Sequence, residues 1–220
     1  MLEVLWLGRG GQGAFTAARL LGLAAVRFAG FQAMAFPSFG PERRGAPVYA
    51  YTRISAHPIH DRSAVRHAQI AVILDETLLP QLRRDQLITQ PLLLIDGGKQ
   101  QSASDIAEQA NGIAWRLPAA ALAWEHLGSH HTNTVLIGAL NGLLGLLPTD
   151  ALTTAIQHEF APHWQAPTPL PKRASANLAA YQAASHLGAN EQTHPLLARW
   201  LDHHKPHISL RLTAGADHHV

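Results

Sequence analysis

The residues of this chain best suited to chemistry are three glycines near its start. Gly8, Gly10 and Gly13 have the G-x-G-x-x-G spacing, and they stand between the apolar run at 2–7 and the Ala- and Leu-rich segment at 14–29. Glycines permit a tight turn and a close approach, and a helix that begins there offers free N–H groups and a partial positive charge. An anion is therefore the ligand that this turn suits best.

Two familiar phosphate-binding motifs do not fit the turn. A dinucleotide site expects an acidic residue about 20 positions further on, but none lies between Glu3 and Glu42, and Arg27 falls inside the expected helix. A Walker loop is excluded because Ala14 and Phe15 stand where Lys and Ser or Thr are required. The spacing leaves three interpretations open: close strand–helix packing, dinucleotide binding, or contact with another anion or a protein.

A second motif is the proline-rich loop at 36–47, Phe-Pro-Ser-Phe-Gly-Pro-Glu-Arg-Arg-Gly-Ala-Pro. Its prolines and glycines predict a rigid, structured loop. Arg43 and Arg44 are fixed cations on it, and guanidinium forks suit phosphate or carboxylate. The alternative is that Glu42 pairs with one of these arginines and the loop is only a well-ordered turn.

Together the two motifs are more specific than either alone. The turn Gly-Arg-Gly-Gly-Gln-Gly at 8–13, the loop at 36–47 and Arg53-Ile54-Ser55 resemble the gamma subunit of 2-oxoacid:ferredoxin oxidoreductases, of the pyruvate/2-ketoisovalerate type. The segment Asn-Thr-Val-Leu-Ile-Gly-Ala-Leu at 133–140 resembles a late helix of the same family, and Asn177 matches at the start of the last helix. The resemblance covers roughly residues 1–187.

The resemblance implies a function that belongs to a multi-subunit enzyme. Such enzymes convert a 2-oxoacid and coenzyme A to an acyl-CoA and CO2 and reduce ferredoxin. Thiamine diphosphate is held by alpha and beta subunits, and iron–sulfur clusters are held by cysteine-bearing chains. The gamma subunit packs against the thiamine-binding parts and helps to frame the coenzyme A site. It is not catalytic alone. This chain has no cysteine, in agreement with that division. The pattern at 42–47 favours pyruvate over 2-oxoglutarate or indolepyruvate.

The resemblance also implies a surface for cofactor binding or subunit contact, with no catalytic residue on this chain. Arg43 and Arg44 would meet either phosphates of coenzyme A or carboxylates of a partner, with a partner contact favoured for at least one. The candidate residues of this surface are Gly8, Arg9, Gly10, Gly11, Gln12, Gly13, Pro41, Glu42, Arg43, Arg44, Gly45 and Asn133.

Other interpretations stay open beside this one. The chain could be a free-standing NAD(P)- or flavin-binding oxidoreductase, or an interaction module without a ligand. The run His57-Pro58-Ile59-His60-Asp61 could suggest a metal site, but the family comparison favours a variable surface loop, and we expect no metal ligand on this chain.

Composition sets limits on these functions. Of 220 residues 47% are hydrophobic and 15% charged, which is typical of a globular protein. The net charge of +2 gives no argument for nucleic acid. No apolar run reaches the roughly 18 residues of a membrane helix, and the N-terminus lacks a signal-peptide pattern. We expect a cytoplasmic protein.

The elements that must position these residues follow from the hydrophobic pattern. We expect strands at 2–7, 31–36, 48–54, 70–74, 92–95 and 113–117, and helices at 14–29, 77–84, 119–127, 134–146, 149–160 and 174–187. This alternation predicts a layered α/β domain with a mixed, mostly parallel sheet and flanking helices. We assign 1–187 to a 2-oxoacid:acceptor oxidoreductase gamma-type domain. Residues 188–220 form a polar, His-rich tail, which we expect to be disordered apart from a short helix at 196–201.

Overall fold

The computed structural model describes residues 1–38, 45–85, 88–97, 112–160 and 170–208. Six strands form one sheet in the order β2-β3-β1-β4-β5-β6. Strands β1, β4, β5 and β6 are parallel, and β3 runs antiparallel to both β1 and β2. This confirms the predicted mixed, mostly parallel sheet. The strands are β1 Leu2–Arg9, β2 Gln32–Pro37, β3 Pro47–Ser55, β4 Ala68–Ile73, β5 Ile88–Asp96 and β6 Ile113–Leu117.

The helices lie on both faces of this sheet. Their described bounds are α1 Ala14–Phe28, a short 3-10 helix Glu76–Leu78, α2 Leu79–Asp85, α3 Ala119–Leu127, α4 Asn133–Leu144, α5 Thr149–Phe160, α6 Leu170–Asn190 and α7 Pro195–Ile208. Most agree with the predicted positions to within a few residues. The main differences are α6, which begins before 174 and ends after 187, and α7, which continues past 201.

The alternation of side chains along β1 divides the apolar interior into two layers. Val4 and Trp6 face the larger core, which is filled mainly from α1, α3, α4, α5 and α6. Leu5 and Leu7 face a smaller core beneath the 3-10 helix and α2. The connections that leave β1 and β4 therefore lie on opposite faces of the sheet, and the chain diverges at the C-terminal ends of these two neighbouring strands.

Helix α4 is buried along all of its residues, so it is packed on every side. Glycines allow its backbone to touch that of α6. A Cβ atom added to Gly138 would lie 2.2 Å from the carbonyl oxygen of Tyr181, and one added to Gly142 would lie 2.0 Å from that of Ser185. These contacts fix α4, and with it the candidate residue Asn133, in the centre of the molecule.

Our expectation of disorder in the tail was wrong for residues 188–195 and 202–208, while the expected short helix at 196–201 is present as part of a longer one. Helix α6 runs through the predicted boundary to Asn190, and α7 follows from Pro195. Leu197 and Trp200 are buried, and the indole Nε1 of Trp200 donates a hydrogen bond to the carbonyl oxygen of Gln90 over 2.7 Å. Burial of this apolar face stabilises α7, although the composition of the tail as a whole is polar.

Among the helices of the described segments, none combines the length and apolar character that a membrane crossing requires.

Candidate functional site

The glycine turn joins β1 to α1 with a backbone that requires glycine at two positions. Gly11 and Gly13 have φ angles of 95° and 88°, in the left-handed region. Gly8 is needed for a different reason: a Cβ atom there would lie 3.2 Å from both the Gln12 side-chain oxygen and the Cβ atom of Leu74. Close packing therefore accounts for Gly8, whereas at Gly11 and Gly13 the backbone conformation favours glycine.

Several N–H groups of the turn already have partners within the chain. The backbone nitrogen of Arg9 donates to Oε1 of Gln12 over 2.6 Å, and that of Gly10 donates to the carbonyl oxygen of Ala46 over 2.9 Å. The backbone nitrogen of Gln12 donates to the carbonyl oxygen of Arg9. An incoming anion would have to compete with these bonds, so the turn differs from an open phosphate-binding loop.

The Arg9 guanidinium connects three segments at the edge of the sheet. Its Nε donates to Oδ2 of Asp75 over 2.7 Å, its Nη1 to the carbonyl oxygen of Gly45 over 3.0 Å, and its Nη2 to Oγ1 of Thr77 over 2.7 Å. These groups lie at the C-terminal ends of β1 and β4, where open α/β sheets commonly bind their ligands. In this chain an arginine side chain occupies that position.

The carboxylate of Asp75 is adapted to this arrangement. Burial acts to raise its pKa, but hydrogen bonds from the side chain and backbone of Thr77, together with Arg9, hold the pKa below its ordinary value. Asp75 therefore remains ionised and paired near neutral pH. The ion pair is partly exposed, so it contributes mainly to the geometry of the turn.

A second acidic group lies at the end of β5. Burial raises the pKa of Asp96, hydrogen bonds from the backbone of Ala120 and Ala119 oppose this effect, and the nearby charges of Glu76 and Asp75 raise the pKa further. Oδ1 of Asp96 accepts from the Ala120 nitrogen over 3.0 Å, at the start of α3. This carboxylate caps a helix at the same edge of the sheet as the glycine turn.

The 3-10 helix between these carboxylates is held by an ion pair. Nη1 of Arg116 on β6 donates to Oε2 of Glu76 over 2.9 Å. The Nε and Nη2 atoms of Arg116 are buried, and no hydrogen-bond partner is present for them within the described part of the chain. The pair fixes the helix that carries Thr77, and hence one of the three acceptors of Arg9.

The structure brings part of the proline loop to the glycine turn. Gly45 has a φ angle of 80°, and its carbonyl oxygen accepts from Arg9, while Ala46 accepts from Gly10. The predicted site residues Pro41, Glu42, Arg43 and Arg44 lie outside the described residues.

Asn133 also lies against the turn, although 120 positions separate it from Gly13. A Cβ atom added to Gly13 would come within 3.0 Å of the Asn133 Nδ2. The neighbouring Thr134 donates through Oγ1 to Oδ1 of Asn177 over 3.0 Å. Asn177 was predicted to start the last helix, but α6 begins at Leu170, so Asn177 lies inside it. Of the segments that carry the resemblance, the glycine turn, Asn133 and Asn177 thus lie close together, whereas Arg53 and Ile54 pair with Glu3 and Leu2 at the other end of β1.

Asp75 and Asp96 were not among the predicted site residues. Their signal in the sequence is an acidic residue directly after a buried parallel strand. Thr77 and Arg116 were missed, because one is an ordinary helix residue and the other lies within an apolar strand. The predicted surface loop at His57 and His60 is exposed, and within the segments given above no group of three or more His, Cys, Asp or Glu residues is arranged to hold a metal.

Comparison with known proteins identifies the family. The family model described as pyruvate ferredoxin/flavodoxin oxidoreductase matches residues 3–187. Pyruvate synthase subunit PorC of Methanothermobacter marburgensis is 38% identical over 189 residues, which are 86% of this chain and 100% of that protein. The common gamma subunit of the pyruvate/ketoisovalerate oxidoreductases of Pyrococcus abyssi is 35% identical over 73% of this chain and 88% of its own length.

Solved structures agree with these sequence relatives. The crystal structure of pyruvate oxidoreductase subunit PORC of Thermotoga maritima has a TM-score of 0.67 at 29% identity, covering 84% of this chain and 94% of that chain. The 2-oxoglutarate:ferredoxin oxidoreductase of Magnetococcus marinus has a TM-score of 0.70 over 86% of this chain and 31% of that chain; at 19% identity this shows a shared fold. The chain therefore belongs to the pyruvate ferredoxin/flavodoxin oxidoreductase family and is a gamma-type subunit of a 2-oxoacid oxidoreductase.

Proposed function

We propose that the chain supports the coenzyme A-dependent oxidative decarboxylation of pyruvate by docking its glycine turn onto the thiamine diphosphate-binding alpha and beta subunits. The observation that carries this proposal is that Arg9, Gly45 and Asn133 meet at one turn, where the Arg9 guanidinium is bonded to groups of the chain itself. A turn built in this way suits contact with a protein better than it suits capture of a dinucleotide.

The outer side of the turn is open to such a contact. Among the described residues, apart from Gly11 and its two chain neighbours, no atom lies within 4 Å of the position that a Cβ atom of Gly11 would take. Phe15, on the first turn of α1, is a large apolar side chain that is 37% exposed. We call Gly10, Gly11, Gln12 and Phe15 the turn surface. Aromatic residues are enriched at the centre of interfaces, so the exposed ring of Phe15 favours such a contact.

The cofactors of the reaction belong elsewhere in the proposed complex. The chain has no cysteine, so it offers no thiolate for an iron–sulfur cluster. We assign the clusters to a ferredoxin-like or cluster-bearing partner, and thiamine diphosphate, which supplies the stabilised carbanion chemistry of decarboxylation, to the alpha and beta subunits. Arg43 and Arg44 of the proline loop are proposed to contact a partner carboxylate or a phosphate of coenzyme A.

Docking is tested by placing a charge on the turn surface. We expect Phe15→Glu to abolish co-purification with co-expressed alpha, beta and cluster-bearing chains, because a buried unpaired carboxylate is strongly unfavourable. Val26→Glu is the matched control: Val26 lies at the other end of α1 and is 47% exposed. Equal co-purification of both variants would remove the turn surface from the interface, and decarboxylation of pyruvate by the isolated chain would contradict the proposed division of labour.

The same co-expressed complex tests the role of the proline loop and the identity of the substrate. With Arg43 and Arg44 both changed to Ala, we expect either weaker assembly or a higher apparent KM for coenzyme A, and unchanged values of both would exclude the loop. Pyruvate is proposed because the names of the sequence relatives contain it. A higher kcat/KM for 2-oxoglutarate than for pyruvate would contradict this substrate.

The free-standing dinucleotide-binding alternative makes an opposite prediction. It requires the isolated chain to bind NAD(P) or a flavin at the end of β1, where the Arg9 guanidinium is held by Asp75 and Thr77. We expect titration with each of these cofactors to give no binding.

A further inference from the structure

Two arginines of the sheet, Arg53 and Arg116, are largely buried, and they differ in how far their donors are satisfied. The Arg53 side chain is 1% exposed; its Nε donates to Oε1 of Glu3 and its Nη1 to the carbonyl oxygen of Asp61, each over 2.7 Å. The Arg116 side chain is 11% exposed, and its Nη1 donates to Glu76. Its Nε and Nη2 are buried without an acceptor in the described ranges. Since a buried donor without a partner costs free energy, Arg116 is not arranged for stability.

The place of Arg116 in the sheet explains what it reaches. It lies on β6, the edge strand, which is the third strand away from β1 in the order β1-β4-β5-β6. Ala114, two positions earlier on the same face of β6, packs against the smaller core. Arg116 therefore lies on the face that carries the 3-10 helix, and its ion pair connects the edge of the sheet to the segment that follows β4.

The residue directly after β5 leaves room for this ion pair. A Cβ atom added to Gly97 would lie 2.6 Å from Oε2 of Glu76 and 3.3 Å from Nη1 of Arg116. A larger side chain at this position would displace the carboxylate. The glycine and the two charged groups thus fit together, and Glu76 has a defined position although its side chain is 36% exposed.

Glu76 stands between the two residues that hold the glycine turn through Arg9. Asp75 precedes it and accepts from Nε of Arg9, and Thr77 follows it and accepts from Nη2, each over 2.7 Å. The 3-10 helix has only three residues, Glu76–Leu78. An anchor on Glu76 therefore limits the movement of both of its neighbours, and through them the movement of the Arg9 guanidinium.

We propose that Arg116 is a positioning residue for partner docking, which holds Arg9 and the glycine turn in their binding shape through Glu76 and lowers the stability of the chain in doing so. The inference rests on the docking function proposed above and extends it to a residue on the far strand of the sheet. Residues kept for function often reduce stability, which accounts for the two buried donors that Arg116 leaves unsatisfied.

The stability of the isolated chain gives the first test. Arg116→Met removes the two unsatisfied donors, and Glu76 is exposed enough to be hydrated once its partner is gone, so we expect an equal or higher Tm. Arg53→Met is the matched control: it removes bonds that are all in use and leaves Glu3, which is 13% exposed, without its cation. We expect a lower Tm for this control. A lower Tm for Arg116→Met than for the wild type would overturn the proposed effect on stability.

The second test measures the position of Arg9 without any partner. In the isotope-labelled chain, NMR follows the Nε–H resonance of Arg9, which is identified by its loss in Arg9→Lys. We expect Arg116→Met to shift this resonance and to speed its exchange with water by about tenfold, because the 3-10 helix is less firmly held. Arg116→Lys keeps a cation for Glu76 and should restore both values. A resonance unchanged in Arg116→Met would contradict a positioning role.

The third test measures docking to the co-expressed alpha, beta and cluster-bearing chains. We expect Arg116→Met to raise the Kd of the complex by about tenfold, although its Tm does not fall; a purely structural role would lower both stability and affinity. If Phe15→Glu abolishes co-purification and Arg116→Met binds as tightly as the wild type, this inference fails and the docking function stands. If Phe15→Glu leaves co-purification intact, the docking function fails, and this inference fails with it.

Discussion

At the scale of single residues, the edge of the sheet contains two carboxylates whose surroundings act on them in opposite directions. Asp75 is paired with Arg9 and Thr77, and its pKa is lowered; Asp96 is more buried and lies near Glu76 and Asp75, and its pKa is raised. The fold therefore stabilises the ionised form of Asp75 and destabilises that of Asp96. Carboxylates with shifted pKa values often lie at functional sites, because such sites hold charged groups away from water.

The raised pKa of Asp96 gives a test with a definite sign. An acid with a raised pKa in the folded state disfavours folding once it is ionised, so its cost is present near neutral pH and disappears as the pH falls below its ordinary value of 3.8. We expect Asp96→Asn to raise the Tm near pH 7 and the difference to vanish at about pH 4. Oδ1 of the new amide can still accept from Ala120.

The control for this measurement is Glu125→Gln on the exposed side of α3. It removes one negative charge without changing a buried group, so its Tm should follow the wild type. A lower Tm for Asp96→Asn near neutral pH would mean that the charge of Asp96 at the start of α3 outweighs its burial.

At the scale of elements, the contact between α4 and α6 depends on glycine. We expect Gly138→Ala and Gly142→Ala each to lower the free energy of unfolding by roughly 3 kcal/mol, since their methyl groups would overlap backbone atoms of α6. Gly22→Ala in α1 is the graded control: its Cβ atom would lie 3.3 Å from that of Ala35, and the helix-propensity gain of about 0.5–1 kcal/mol offsets that contact. Urea unfolding measures all three. Similar values for the three variants would show that the helices can move apart.

How far the sequence predicts these elements depends on how local their determinants are. Strand β6 and helices α3 and α5 have their predicted bounds, because apolar periodicity and Pro or Gly punctuation set both ends. Helix α7 was underestimated, since Trp200 is held by a hydrogen bond to Gln90, which is far away in the chain. The candidate turn was predicted from glycine spacing. The hydrogen bonds from Arg9 to Asp75 and Thr77 were not predicted, because they depend on the order of the strands in the sheet.

At the scale of the whole molecule, the net charge of the chain changes strongly on acidification. The net charge of +2 near neutral pH rises by up to 15 as the histidines protonate. Several of them, including His57, His60, His130 and His131, are exposed. Mutual repulsion of these charges opposes the compact state, and protonation of Asp75 removes its pairing at still lower pH.

We therefore expect the free energy of unfolding to fall on acidification below about pH 4. The folded-state pKa of Asp75 lies below its ordinary value of 3.8, so the stability that its pairing contributes is present above that value and is lost as the pH falls further. Urea midpoints measured over this pH range provide the check. A midpoint that does not change below about pH 4 would contradict the loss of this pairing.

The three hydrogen bonds of the Arg9 side chain have a consequence for the rate of encounter with a partner. Arg9 joins β1, the residue Gly45 and the 3-10 helix at one point, so the backbone of the turn loses its freedom during folding. A partner that docks there meets a surface already in its bound shape and loses little further entropy by ordering it. Association would then proceed as a rigid-body step at about 10⁵–10⁷ M⁻¹s⁻¹, and differences in affinity between variants of the turn would arise in how long the complex lasts.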